Sequence, residues 1–130
     1  VGDSRIYQMS STVQQLTADQ TLVAREIAAG RLTPEQAETD SRRSVLLQCI
    51  GASPVVEPDF VAGDIQAGAT YMICSDGFRH KISNDEIMSK IGPAACGTEA
   101  EMEDGCKFLT ELVKYRKETD NITVVLIKTE

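Results

Sequence analysis

The 130 residues, 42% apolar and 25% charged, suffice for one domain with one ordinary hydrophobic core. Thirteen basic residues against 20 acidic ones leave a net charge of −7, which argues against nucleic acid or an anionic membrane surface as a partner. No apolar run approaches the roughly 20 residues that cross a bilayer, and no signal-peptide pattern is present. Cys49, Cys74, Cys96 and Cys106 show neither CxxC spacing nor a paired histidine, so zinc is disfavoured and reduced thiols of a cytoplasmic protein are expected. The opening Val1-Gly2-Asp3-Ser4-Arg5, without an initiator methionine, reads as the interior of something longer.

Residues 5–9 are β-prone, Ser10-Ser11 is a polar break, and residues 12–16 resume the pattern, which predicts a hairpin. A helix is expected over 22–29, stopped by Gly30. Thr33-Pro34-Glu35-Gln36 has the form of a capping box with proline at the first helical position, so a short helix should run from there to about Asp40. Val45-Leu46-Leu47 reads as buried strand, residues 51–54 as loop, and Gly63-Asp64 and Ala67-Gly68 as turns. The run Thr70-Tyr71-Met72-Ile73-Cys74 is continuously apolar, as a strand covered on both faces would be. Capping boxes at Ser83/Glu86 and Thr98/Glu101 open two further helices, the first ending before Gly92-Pro93 and the second reaching about Arg116. Met102, Cys106, Leu109 and Val113 form the inner stripe of that last helix. A strand over 122–127 closes the chain. Strands and helices in separate runs predict an α+β layered domain, mainly antiparallel.

Three aspartates fall at strand ends. Asp3 precedes the first strand, Asp76 follows the apolar strand, and Asp120 precedes the last. If the middle strand is antiparallel to the other two, all three reach one rim of the sheet. Clustered carboxylates repel one another, and a divalent cation removes that cost. Oxygen donors without suitably spaced His or Cys favour magnesium or manganese. Each motif taken singly is also an ordinary turn, since Asp-Gly and Asp-Asn suit turns for local reasons.

Val1-Gly2-Asp3-Ser4-Arg5, Cys74-Ser75-Asp76-Gly77 and Asp120-Asn121-Ile122-Thr123-Val124 stand in the order of the C-terminal motifs of type 2C (PPM) protein phosphatases. Gln15-Leu16-Thr17-Ala18-Asp19, residues 29–35 and Cys49-Ile50-Gly51 resemble the bacterial members, so the likeness covers residues 1–130. The resemblance implies part of an α-β-β-α sandwich. It implies that Asp76 and Asp120 bind paired catalytic Mn2+ or Mg2+, that Asp3 with Asp76 holds a third, weaker ion, and that about 17–53 includes a mobile flap. The implied reaction is hydrolysis of phosphoserine or phosphothreonine on phosphoproteins.

The chain departs from that family in several places. The N-terminal half of the family supplies a phosphate-gripping arginine, an acidic ligand and an Asp-Gly-His-Gly or Asp-Gly-Met-Gly aspartate that bridges both metals, and none occurs here. No catalytic group is therefore assigned within this segment. The bacterial Asp-His-Ser/Thr stretch reads Asp19-Gln20-Thr21, and Phe78 stands where leucine is commoner. His80 is read as a surface loop histidine, Arg42-Arg43 as a solvated turn, and Cys74 as packing.

Two functions follow. One is a segment of a working phosphatase, inert alone. The other is a non-catalytic phosphoprotein-binding or regulatory module of the same fold. Half of a sandwich also leaves one sheet face or edge uncovered, so the isolated chain is expected to self-associate as a dimer, to swap elements or to fold poorly.

Overall fold

A computed structural model describes all the residues, Val1 to Glu130. The predicted hairpin forms from β1 (Arg5–Met9) and β2 (Val13–Gln15), antiparallel, with Tyr7 opposite Gln15 and Met9 opposite Val13. β3 (Thr70–Cys74) pairs antiparallel with β1, and β4 (Val124–Lys128) with β3, giving one sheet of order β2-β1-β3-β4. Arg5 stands opposite Cys74, and Cys74 opposite Val124.

Side chains alternate across a strand, and that alternation decides which face is covered. Tyr7, Met9, Met72 and Cys74 point into a core shared with Phe78, Ile87, Ile91 and Leu109 from the helices. Thr70 lies wholly buried in the same layer, where its hydroxyl donates to the Ile91 carbonyl at 3.0 Å. On the other face Ile73, Val125 and Ile127 remain 39%, 49% and 48% exposed. The expectation that residues 70–74 are covered on both faces is therefore corrected. An all-apolar run does not itself say which of its two faces a neighbour covers. The chain builds one four-stranded sheet with a helical layer, an α+β arrangement.

The helices begin where local chemistry starts them. Ser83 accepts the Glu86 N–H and Glu86 accepts the Ser83 N–H, which opens α4 (Asn84–Ile91). Thr98 and Glu101 do the same for α5 (Glu99–Tyr115). Each reciprocal pair satisfies two otherwise orphaned donors. A short 3-10 turn, Pro93–Ala95, links them. Of the α5 stripe, Leu109 and Val113 are fully buried while Met102 and Cys106 pack against the core from its margin. α4 and α5 approach closely at Gly105, where an added Cβ would collide with the Lys90 carbonyl oxygen. No helix is long and apolar enough to cross a membrane.

Arg116, the C-terminal cap of α5, forks onto the Glu86 carboxylate at 2.6 and 2.9 Å and donates to the Lys81 carbonyl at 2.7 Å. Hydrogen bonds from Arg116, and then from the Ser83 N–H, hold the Glu86 carboxyl down at about 2, against an ordinary 4.5. A carboxyl depressed in the folded state stabilises fully above its unfolded value, and that contribution is lost as pH falls through the folded one. Carboxyl 13C shifts followed against pH should place the Glu86 midpoint near 2. Stability should decline below about pH 4.5 in the native chain and less steeply in Arg116→Met. A Glu86 midpoint near 4.5 would show that the fork does not persist in solution.

The chain divides into two compact units, residues 1–3 with 18–60 and residues 4–17 with 61–130. The sheet and α4–α5 belong to the second. The first contains α1 (Leu22–Ala28), capped by Thr21, and α2 (Pro34–Thr39), opened by the predicted Thr33/Gln36 box. Residues 18–53 of the expected flap segment fall in this unit. Val45, Leu46 and Leu47 are 39% to 46% exposed and make one isolated bridge, Thr21 to Leu46. The buried strand expected there is not formed, because three apolar residues without a partner strand give no ladder. Gly63-Asp64 forms no turn, whereas Ala67-Gly68 does, with Gly68 at φ 72°.

Gln20, standing where the bacterial pattern carries histidine, is the hub of the first unit. Its amide oxygen accepts from the Gly2 N–H at 3.1 Å and from Gln48 Nε2 at 2.8 Å. Its amide nitrogen donates to Asp59 Oδ2 at 2.9 Å. An amide supplies both donors and acceptors, so the substitution is accommodated by a local network. Arg42 spends its guanidinium on Asp40, at 2.8 and 3.0 Å.

Candidate metal-binding edge

The antiparallel register places the end of β3 beside the start of β4. Immediately past β3 the chain turns into α3 (Asp76–Arg79), and immediately before β4 runs the Asp120-Asn121 loop. Ser75 stitches the two together. Its hydroxyl donates to the Asn121 carbonyl at 3.0 Å and accepts the Thr123 N–H at 3.0 Å. Its own N–H donates to the Thr123 carbonyl at 3.0 Å.

Gly77 makes the approach possible. A Cβ there would run into the Asn121 carbonyl oxygen and come within 3.2 Å of Asp120 Cβ. Its role is close approach, not a special backbone angle, since it is absent from the positive-φ residues. Asp76 and Asp120 are thus carried on two segments in van der Waals contact.

Asp76 Oδ1 lies 3.1 Å from Arg79 Nη2, with a quarter of its side chain exposed. Asp120 Oδ1 accepts the N–H of Asn121 at 2.7 Å, and the residue is exposed. Asp3 lies in the first compact unit, two residues ahead of β1. No group of three or more His, Cys, Asp or Glu side chains assembles into a metal cage. Asp76 and Asp120 fit magnesium or manganese in kind, being hard oxygen donors, and fall short of the six that octahedral Mg2+ requires.

Residues that spacing did not single out support this edge. Glu118 has 7% of its side chain exposed, and its Oε1 accepts the N–H groups of Thr119 and Asp120 at 2.8 and 3.1 Å. His80 Nδ1 stands 3.3 Å from its Oε2. His80 is exposed, as expected, and caps the C-terminus of α3, where its ring meets the largely shielded Glu118 carboxylate. Burial works to raise the Glu118 carboxyl, and the two N–H groups, His80 and the Lys81 charge together outweigh it, so it sits below the ordinary value. Lys81 Nζ donates to the Arg116 carbonyl at 3.2 Å and also to the Lys117 carbonyl. Only a residue 38 positions away reveals the role of His80.

The remaining chemistry-bearing groups lie elsewhere. Cys74 is buried in the core, and burial raises the Cys96 and Cys106 thiols, which makes both poor nucleophiles. A groove of about 350 Å³ between α4 and α5 is lined by Lys90, Glu101, Asp104 and Phe108, with Lys90 Nζ 4.3 Å from the centre of the Phe108 ring. It includes no residue of the Asp76–Asp120 edge.

No family model matches the chain. Protein phosphatase PhpP of Streptococcus pneumoniae is 32% identical over 128 residues, covering 98% of this chain and 50% of that protein. The Mycobacterium tuberculosis serine/threonine phosphatase PstP superposes with a TM-score of 0.86 at 30% identity, over all of this chain and 53% of the other. The S. agalactiae serine/threonine phosphatase does so with a TM-score of 0.86 at 33% identity, over 52% of its length. A second PstP structure, of its catalytic domain, holds two manganese ions; its TM-score is 0.76 at 30% identity. The chain spans about half the length of the structures it matches.

Proposed function

Because the chain is a homologue of the PP2C-type serine/threonine phosphatases over about half of each matched fold, we propose that it is the C-terminal half of a metal-dependent protein phosphatase domain. The parent hydrolyses phosphoserine and phosphothreonine on phosphoproteins, and this half is inert alone. The observation that carries the reading is the stitching of the Asp76 and Asp120 segments by Ser75 and Gly77. Asp76 and Asp120 present carboxylates to paired Mn2+ or Mg2+ ions, and Asp3 serves a third, weaker one. When bound, such a pair supplies an activated water for in-line attack on phosphorus and neutralises charge on the phosphoryl oxygens. The chain's own part is to hold two carboxylates at the rim. Arg79, 3.1 Å from Asp76, offsets the charge of one of them. The four free cysteines suit a cytoplasmic setting. The face of Ile73, Val125 and Ile127 suits self-association of the isolated half.

Turnover of p-nitrophenyl phosphate with Mn2+ tests this. The chain alone should match its Asp76→Asn variant at background. Joined to the segment encoded upstream of Val1, it should turn over the ester, and Asp76→Asn or Asp120→Asn should each remove at least about 100-fold, the scale of a lost electrostatic stabiliser. Activity of the joined protein that survives both substitutions would overturn the metal assignment. A joined protein that is inactive yet retains phosphopeptides would favour the binding-module reading.

A further inference from the structure

We infer that Glu118 is a positioning residue for Asp120, fixing the loop that carries this carboxylate against the end of α3. The inference deepens the metal reading of Asp76 and Asp120, and rests on it for its functional meaning. Its geometric part stands alone.

Three contacts occupy the Glu118 carboxylate. One oxygen takes the N–H groups of Thr119 and Asp120, and the other faces His80 Nδ1. With both oxygens occupied and the side chain almost wholly shielded, it is not placed as a ligand. Burying a carboxylate is costly unless hydrogen bonds compensate, and here two of the compensating donors are backbone groups of the loop itself. The carboxylate therefore sets the conformation of the residues that lead into Asp120.

The rest of the loop is fixed in the same sense. Lys117 turns the chain at φ 62°, an uncommon conformation for a residue other than glycine. Lys81 Nζ ties down the carbonyls on both sides of that turn. The anchors His80 and Lys81 follow directly on α3, the element that begins with Asp76, and the His80 N–H bonds the Asp76 carbonyl at 3.0 Å. Both acidic segments are thereby referred to one short stretch of chain. A ligand on an exposed loop needs such support, because useful coordination tolerates only about 0.5 Å of misplacement.

The experiment uses NMR on this chain, with Glu118→Ala and Glu118→Gln. Glutamine keeps an oxygen that can accept the two N–H groups; alanine keeps none. In the native chain the Asp120 amide should exchange slowly with solvent. Glu118→Ala should speed it about tenfold or more, as loss of a charge-assisted hydrogen bond would, with β3 and α5 amides unchanged. Glu118→Gln should restore most of the protection. Mn2+ added in small amounts should broaden resonances around Asp76 and Asp120, and the midpoint should weaken several-fold in alanine but not in glutamine.

Unchanged Asp120 exchange in Glu118→Ala would overturn the inference, whatever the metal does. Equal losses in alanine and glutamine would also overturn it, by showing a general requirement for the charge. Loss of Asp120 protection without any Mn2+ broadening in the native chain would uphold the positioning, and turnover by the joined protein with Asp76→Asn and Asp120→Asn then decides the metal reading separately.

Discussion

Truncating Phe78 to alanine should cost the folded chain about 3–5 kcal/mol, the usual range for a large aromatic removed from a core. Phe78 is wholly buried and heads the largest fully buried side chains. It packs with Met72, Ile87 and Leu109 in the cluster that joins the sheet to the helices. Domains are stable by only about 5–15 kcal/mol, and this sheet has one face with Ile73, Val125 and Ile127 open. The variant should therefore be largely unfolded or close to its midpoint at 25 °C. Urea denaturation followed by circular dichroism measures this, and a loss below about 1 kcal/mol would refute it. Phe78→Leu keeps most of the apolar contact and should cost less than half as much. The consequence reaches the Asp76–Asp120 edge, because Phe78 lies two residues after Asp76 within α3. Its ring anchors the turn that presents the carboxylate.

Substituting Gly77 by alanine should separate the two acidic segments. The only obstacle is steric. An alanine Cβ meets the Asn121 carbonyl oxygen, which is backbone and cannot rotate away as a side chain would. Forced shifts of this kind cost about 1–3 kcal/mol. Relief requires the Asp120-Asn121 loop to move outward, stretching the Ser75 bonds to Asn121 and Thr123. Amide shifts confined to residues 75–78 and 119–123, with Mn2+ broadening weakened about tenfold or more, are the expected result. The tenfold corresponds to about 1.4 kcal/mol of lost coordination, well within the cost of a misplaced charge-assisted contact. Alanine tolerated with Asn121 unshifted would show that close approach does not hold the edge together. Gly105→Ala provides a control. It meets the Lys90 carbonyl oxygen in the α4–α5 contact, so it should destabilise comparably and leave the Asp76–Asp120 resonances in place.

Much of the local structure was legible in the sequence because its causes are local. Thr33/Gln36, Ser83/Glu86 and Thr98/Glu101 each close their caps within four residues, and all three helices begin there. Gly30 and Gly68 sit at positive φ where the chain turns. The alternating register of β1, β3 and β4 follows from short strands whose pairing is antiparallel, and it accounts for Asp76 and Asp120 reaching the same edge. Local reading failed where a segment needed a partner far along the chain. Val45 to Leu47 has strand composition and finds only one bridge, and Thr70 to Cys74 is apolar throughout yet has one face half open.

What the residues alone determined were the positions of caps and strands and the presence of aspartates at strand ends, because those depend on bonds spanning a few residues. The tertiary structure decided which side of the sheet was covered, why residue 77 must lack a side chain, and how His80 meets Glu118. Each of these pairs atoms that chain entropy keeps apart until the whole sheet has formed, so no spacing along the chain encodes them.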